Sequence, residues 1–89
     1  MSMGPVVILY GRDGCHLCDE ARASLLALHA EQPSSFRLRE VDIESDDRLH
    51  AAYLERIPVI EMDGRVISEL GLDRTALVQA LAGASAAGG

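Results

Sequence analysis

The spacing of apolar side chains changes period several times along the chain, and each change predicts an element. Val6-Val7-Ile8-Leu9-Tyr10 is an unbroken apolar run rich in β-branched residues. A run without alternation predicts a strand buried on both faces, inside a sheet covered by helices. Gly11 to Gly14 break it. From Cys15 to about Ala30 the period becomes helical, with Leu17, Ala21, Leu25 and Leu28 on one stripe and Asp19, Glu20 and Arg22 off it. Asp19 and Glu20 fall near the start of this helix, where its dipole favours anions. Gln32-Pro33-Ser34-Ser35 ends it. A second strand is expected over Phe36 to Ile43. Phe36 and Leu38 alternate with Arg37 and Arg39, and then the parity slips at Glu40, so that Val41 and Ile43 fall on the opposite side. A bulge and a change of environment both account for that slip.

Asp46-Asp47 opens a short helix with Leu49, Ala52 and Tyr53 as its inner side, and Ile57-Pro58 stops it. Val59 to Met62 reads as a third strand and Arg65 to Ile67 as a fourth, joined by Asp63-Gly64, a favoured two-residue hairpin turn. Asp73 is suited to cap a last helix through about Ala82, with Leu77, Val78 and Leu81 facing in. The expected order is β-α-β-α-β-β-α: an α/β domain over residues 1–82 with a mixed four-stranded sheet flanked by helices. The helix between the first two strands makes them parallel. Met1 to Pro5 is expected to fray, and the small residues Gly83 to Gly89 to form a disordered tail.

Composition narrows the function more than the fold. With 89 residues there is room for one domain. Aromatic residues are only Tyr10, Phe36 and Tyr53, so the core is aliphatic. The formal net charge is -6, the pI is about 4.8, and all eight basic residues are Arg. An acidic domain without a basic stripe is poorly suited to nucleic acid or an anionic membrane surface. No apolar run approaches the ~20 residues of a membrane span. No signal-peptide pattern is read at the N-terminus. The expected location is the cytoplasm, and the expected state is a monomer.

Two cysteines remain to be explained, Cys15 and Cys18 in Gly14-Cys15-His16-Leu17-Cys18. A disulfide closing so short a loop restrains the unfolded chain little, and a disulfide-stapled secreted scaffold uses more bridges. Their place at a strand-to-helix junction suggests chemistry instead. Cys15 would sit at the helix N-terminus, where free N–H groups and the dipole favour a thiolate. Cys18 lies one turn on, close enough to form a disulfide. Cys15 is then the attacking thiol and Cys18 the resolving one. His16, if protonated, and Arg12 add positive charge nearby, and Asp13 opposes them. Half a zinc site is the main alternative, but zinc takes four ligands, and no second Cys pair or His pair accompanies this one. His29 and His50 read as solvated helix-surface residues, and the acids Glu40, Asp42, Glu44, Asp46 and Asp47 as a solvated loop and helix start. Pro58, opening a strand, is unremarkable by itself.

Taken together, Leu9 to Cys18, Val41-Asp42-Ile43, Arg56-Ile57-Pro58-Val59 and Asp63-Gly64-Arg65 resemble the glutaredoxins, and more closely the small bacterial glutaredoxin-like proteins. The resemblance spans Val6 to Ala82. It implies a thioredoxin-like fold, with Cys15 as nucleophile, Cys18 as resolving cysteine and Pro58 in the cis form. It further implies that Ile57 pairs through its backbone with a bound cysteinyl peptide such as that of glutathione, and that Arg12 holds a glutathione carboxylate. His16, Leu17 and Arg56 would complete the binding surface, although each departs from the family pattern, which has Pro, an aromatic and Thr at those places. The Gly-Gly-x-Asp segment that helps hold glutathione falls around Ser68-Glu69-Leu70-Gly71, where Glu69 brings negative charge.

The expected activity is thiol–disulfide exchange on a disulfide-containing protein or a glutathione mixed disulfide. The protein would hold no tightly bound cofactor or metal, and would be recycled by glutathione or by a reductase. A thioredoxin-fold binding protein with weak or no catalysis is the second expectation. An iron–sulfur or zinc module completed by a second copy is the third.

Overall fold

The computed structural model describes residues 4–88. Its elements are β1 (Val6–Gly11), α1 (His16–Glu31), β2 (Arg37–Asp42), a 3₁₀ turn (Ile43–Ser45), α2 (Asp47–Tyr53), β3 (Val59–Met62), β4 (Arg65–Glu69) and α3 (Arg74–Gly88). The strands form one mixed sheet in the order β2-β1-β3-β4. β1 runs parallel to β2 and antiparallel to β3, and β3 and β4 form the hairpin expected at Asp63-Gly64.

The buried apolar side chains form two clusters. On one face of the sheet Val7, Leu9, Ile60 and Met62 pack with Ala21, Leu25 and Leu28 of α1, Leu77 of α3, and Phe36. The second lies at the Gly11 end of β1, where Ile43, Ile57 and Val59 surround Cys18 of α1, with Tyr10, Cys15, Leu49 and Tyr53 packed around them. This unequal cover corrects the reading of β1 as buried on both faces. Val7, Leu9 and Gly11 are buried, whereas Val6, Ile8 and Tyr10 are half-buried, because seven-residue α2 shields that side incompletely.

The slip of parity in β2 also has its cause here. Pairing with β1 is regular from Val6↔Arg37 to Gly11↔Asp42, so β2 contains no bulge against it. Leu38 lies beside Val7 and packs on the first cluster, and Val41 lies beside Tyr10 on the other face. An edge strand with few covered positions can place one apolar residue on each side. The irregularity falls instead between Ile60 and Glu61 in the β3–β4 pair, and β4 continues to Glu69.

The helices correct the inward-facing sets. The buried stripe of α1 is Cys18, Ala21, Leu25 and Leu28, and Leu17 is 46% exposed. Ala52 and Val78 are exposed. His29 is half-buried, with its ring edge-on to Phe36 at 5.1 Å between centroids. Asp46 and Asp73 cap α2 and α3 by accepting N–H bonds from Arg48 (2.7 Å) and Ala76 (3.0 Å). The backbone of α3 runs past Ala82 to Gly88, through the segment expected to be a disordered tail. Its alanines have the strongest helix preference of any residue and offset the glycines. Of the expected frayed start, Met1–Met3 lie outside the described residues, as does Gly89, but Pro5 is tied down: its C=O accepts the Arg37 N–H at 2.9 Å. No helix among the described residues is long and apolar enough to cross a membrane.

Candidate functional site

The Cys15-to-Cys18 segment is built by the transition from β1 to α1. Gly14 takes a φ of 77°, a left-handed conformation suited to glycine, and turns the chain into the helix. Cys15 then adopts extended angles as the N-cap. Its Sγ accepts the Cys18 N–H at 3.1 Å, and its C=O accepts the Asp19 N–H at 3.1 Å. Cys15 and Cys18 are joined as a disulfide, with their Cα atoms 5.2 Å apart. Cys15 is half-buried, while Cys18 is fully buried in the second apolar cluster. The two sulfurs therefore differ in access, one near the surface and one within the core.

Gly11 belongs to this site although the sequence reading treats it only as a strand breaker. A methyl group added there would stand 3.0 Å from Cys18 Sγ and 3.2 Å from Cys18 Cβ. The backbone of β1 thus passes directly beneath the disulfide. A glycine ending a strand just before a cysteine pair is the signal that could have pointed to it.

The Ile57–Pro58 bond is cis, as the resemblance implies. Both residues are buried, and Ile57 packs in the same cluster as the cysteines. The Ile57 N–H, however, donates to the Tyr53 C=O at 3.0 Å, an acceptor it shares with the Arg56 N–H at 2.8 Å. The donor expected to meet a bound cysteinyl peptide is satisfied within the protein in this conformation.

The other residues of the expected binding surface are divided among internal partners. Arg12 lies 3.7 Å from Glu44, so its charge is shared at a half-exposed pair. His16 is 86% exposed, with Nε2 3.7 Å from Glu20 one turn on. Arg56 is held by a two-pronged bond to Glu69, Nε to Oε1 at 2.8 Å and a terminal nitrogen to Oε2 at 2.7 Å. Its guanidinium also lies 5.0 Å from the centroid of the Tyr53 ring, which packs on Tyr10 at 4.9 Å. The negative charge expected from Glu69 is thereby matched. Burial, and then the nearby Glu61 carboxylate, push the Tyr10 phenol above its ordinary value and keep it neutral.

Ser68 and Glu69, read as standing where a glycine pair would be, are strand residues of β4. The positive-φ pair is Leu70 (60°) and Gly71 (150°), so Leu70-Gly71-Leu72-Asp73 matches Gly-Gly-x-Asp in all but its first residue. Tyr53, Tyr10 and Leu70 are further residues of this surface that the sequence reading missed. Among the described residues, no three His, Cys, Asp or Glu side chains converge as a metal site.

The model of the Glutaredoxin-like domain (DUF836) matches residues 6–82 of this chain. Among solved structures, the protein Ne2328 of Nitrosomonas europaea is 28% identical, with a TM-score of 0.76 over 90% of this chain and 94% of its own. The protein XcR50 of X. campestris is 33% identical, with a TM-score of 0.65 over 88% of this chain and 97% of its own. The thioredoxin of Fasciola hepatica, at 19% identity and a TM-score of 0.61 over 93% of this chain and 83% of its own, shares the fold. No curated protein matches the chain significantly. With the family model spanning nearly the whole domain, Cys15 capping α1, and Ile57 of the cis Ile57–Pro58 bond packed in the Cys18 cluster, the chain belongs to the glutaredoxin-like family and has the thioredoxin-like fold.

Proposed function

We propose that this protein is a thiol–disulfide oxidoreductase that reduces disulfides through Cys15 and Cys18. The observation that carries the reading is the position of the pair: Cys15 Sγ, near the surface, accepts an N–H bond at a helix start, and Cys18 lies buried behind it. In the reduced protein the same N–H and the helix dipole stabilise a Cys15 thiolate, the nucleophilic form. That thiolate attacks one sulfur of a substrate disulfide, forms a mixed disulfide and releases the other substrate sulfur as a thiolate, which takes up a proton. Cys18, on losing its proton, attacks Cys15 Sγ and releases the second substrate thiolate. Two electrons pass to the substrate, and Cys15–Cys18 is left oxidised. The dithiol is the electron carrier, and no step uses a bound cofactor.

Three internal pairings favour a protein disulfide as substrate, and a dithiol reductase as the recycling partner, over glutathione. Arg12 faces Glu44, Arg56 is bound by Glu69, and the Ile57 N–H is bonded to Tyr53. A ligand with carboxylates at both ends finds its basic partners occupied. Reduction of a disulfide-bonded protein such as insulin by the reduced chain checks the reading. Cys15→Ser is expected to abolish turnover, and Cys18→Ser to accumulate the mixed disulfide, visible on a non-reducing gel. Equal rates for wild type and Cys15→Ser would sink the proposal.

A further inference from the structure

Leu70 is disfavoured twice over. Its φ of 60° lies in the left-handed region, where the Cβ of any residue but glycine crowds the neighbouring carbonyl. It is also 59% exposed, the most open of the large apolar residues among those described. Asp63, also a non-glycine residue with positive φ (51°), sits in a two-residue hairpin turn where Asp is common. No comparable local chemistry accommodates Leu70, which neither fills the core nor suits its backbone.

The residue is nevertheless held in place. Its N–H donates to the Arg56 C=O at 3.0 Å. The preceding residue, Glu69, grips the Arg56 side chain with both carboxylate oxygens. Leu70 is thus fastened to the residue immediately before Ile57-Pro58, and Ile57 packs with Cys18 and Cys15. A second exposed leucine, Leu17 at 46%, lies between the two cysteines in the sequence. Leu26 and Leu54 are exposed too, but elsewhere on α1 and after α2; Leu17 stands on the cysteine segment and Leu70 on the loop bound to the cis-proline segment, the two segments that meet around the disulfide. Strained backbone persists where the surrounding structure enforces it, and such positions concentrate at functional sites.

We propose that Leu70, together with Leu17, determines substrate specificity by contacting an apolar residue next to the disulfide-bonded cysteine of a peptide or protein substrate. The inference rests on the oxidoreductase reading above and adds the class of sequence that the site selects. Apolar contacts favour such a segment over glutathione, whose two ends are charged. Burial of part of a leucine against a matching side chain is worth about tenfold in rate discrimination.

The test oxidises the reduced protein with three symmetric disulfides and follows the second-order rate. Two are dimers of the peptides Ser-Leu-Cys-Leu-Ser and Ser-Ser-Cys-Ser-Ser, blocked at both ends so that neither carries charge, and the third is 2-hydroxyethyl disulfide. Wild type is expected to react about tenfold faster with the leucine peptide than with the serine peptide. Leu70→Gly, which suits the left-handed backbone and is expected to fold at least as stably as wild type, should bring that ratio close to one. Leu70→Asn, also tolerant of positive φ, should do the same. Reaction with 2-hydroxyethyl disulfide but no leucine preference in wild type, or a preference that survives Leu70→Gly, would overturn this inference alone. No reaction with any of the three would overturn the oxidoreductase reading as well.

Discussion

A single absent methyl group sets how closely the disulfide approaches the sheet. Gly11 is buried at the end of β1, and a Cβ there would sit 3.0 Å from Cys18 Sγ. Cys18 cannot yield, because it is fully buried among Ile43, Ile57 and Val59. Gly11→Ala is therefore expected to cost about 1–3 kcal/mol of stability through overpacking. In a domain of this size each kcal/mol lowers the melting temperature by about 4–8 °C, which thermal unfolding followed by circular dichroism measures. An unchanged melting temperature would show that β1 and α1 can separate freely. The two cysteines were legible in the sequence because their residue type and spacing are unusual, and Pro58 only through the family resemblance. Gly11, Tyr53 and Leu70 were not, since a glycine, a tyrosine and a leucine acquire their roles only from what lies opposite them.

At the level of elements, one position decides the phase of α1. Leu17 and Cys18 are neighbours, and the apolar periodicity of the helix accommodates either at the head of the stripe. The stripe that includes Leu17 follows a 4-4-3 spacing, and the one that includes Cys18 follows 3-4-3; both fit a helical face. Cys15 as N-cap orients the first turn so that Cys18 enters the core and Leu17 turns outward. A second link joins α2, the loop after it and β4: Arg56 is bound to Glu69 and lies over Tyr53. The hydrogen bonds from Arg56, supported by its charge, hold the Glu69 carboxyl below its ordinary value. A carboxyl whose pKa is lower in the folded state contributes stability above its unfolded value, about 4.3, and that contribution fades as pH falls through the lower folded value. Glu69→Gln carries no such dependence. The stability gap between wild type and Glu69→Gln, read from urea midpoints, should therefore be present at pH 6 and shrink at pH 3. A gap that stays constant would show that the pair contributes only through shape.

For the whole molecule, the division of the core into two clusters separates stability from chemistry. The larger cluster, with α1 and α3 on one face, contains Phe36, the only fully buried aromatic side chain among the described residues. Phe36→Ala removes the ring that packs against His29 and this cluster, at a cost of about 3–5 kcal/mol. By the same conversion, such a change, a large part of the roughly 5–15 kcal/mol of a whole domain, is expected to lower the melting temperature by about 12–40 °C. A shift of only a few degrees would place the centre of the core elsewhere. The smaller cluster, which holds the cysteines, is bounded by half-buried Tyr10, Leu49 and Tyr53, and its opening to solvent gives Cys15 its access. The sequence by itself determined the succession of elements, the hairpin and the cysteine pair at a helix start, because period, turn chemistry and capping are local properties of the chain. Only the tertiary structure decided which face of β1 is fully covered, which residue of α1 turns inward, and which partners satisfy Arg12, Arg56 and the Ile57 N–H. Those outcomes depend on atoms brought together from distant parts of the chain, and no local pattern encodes them.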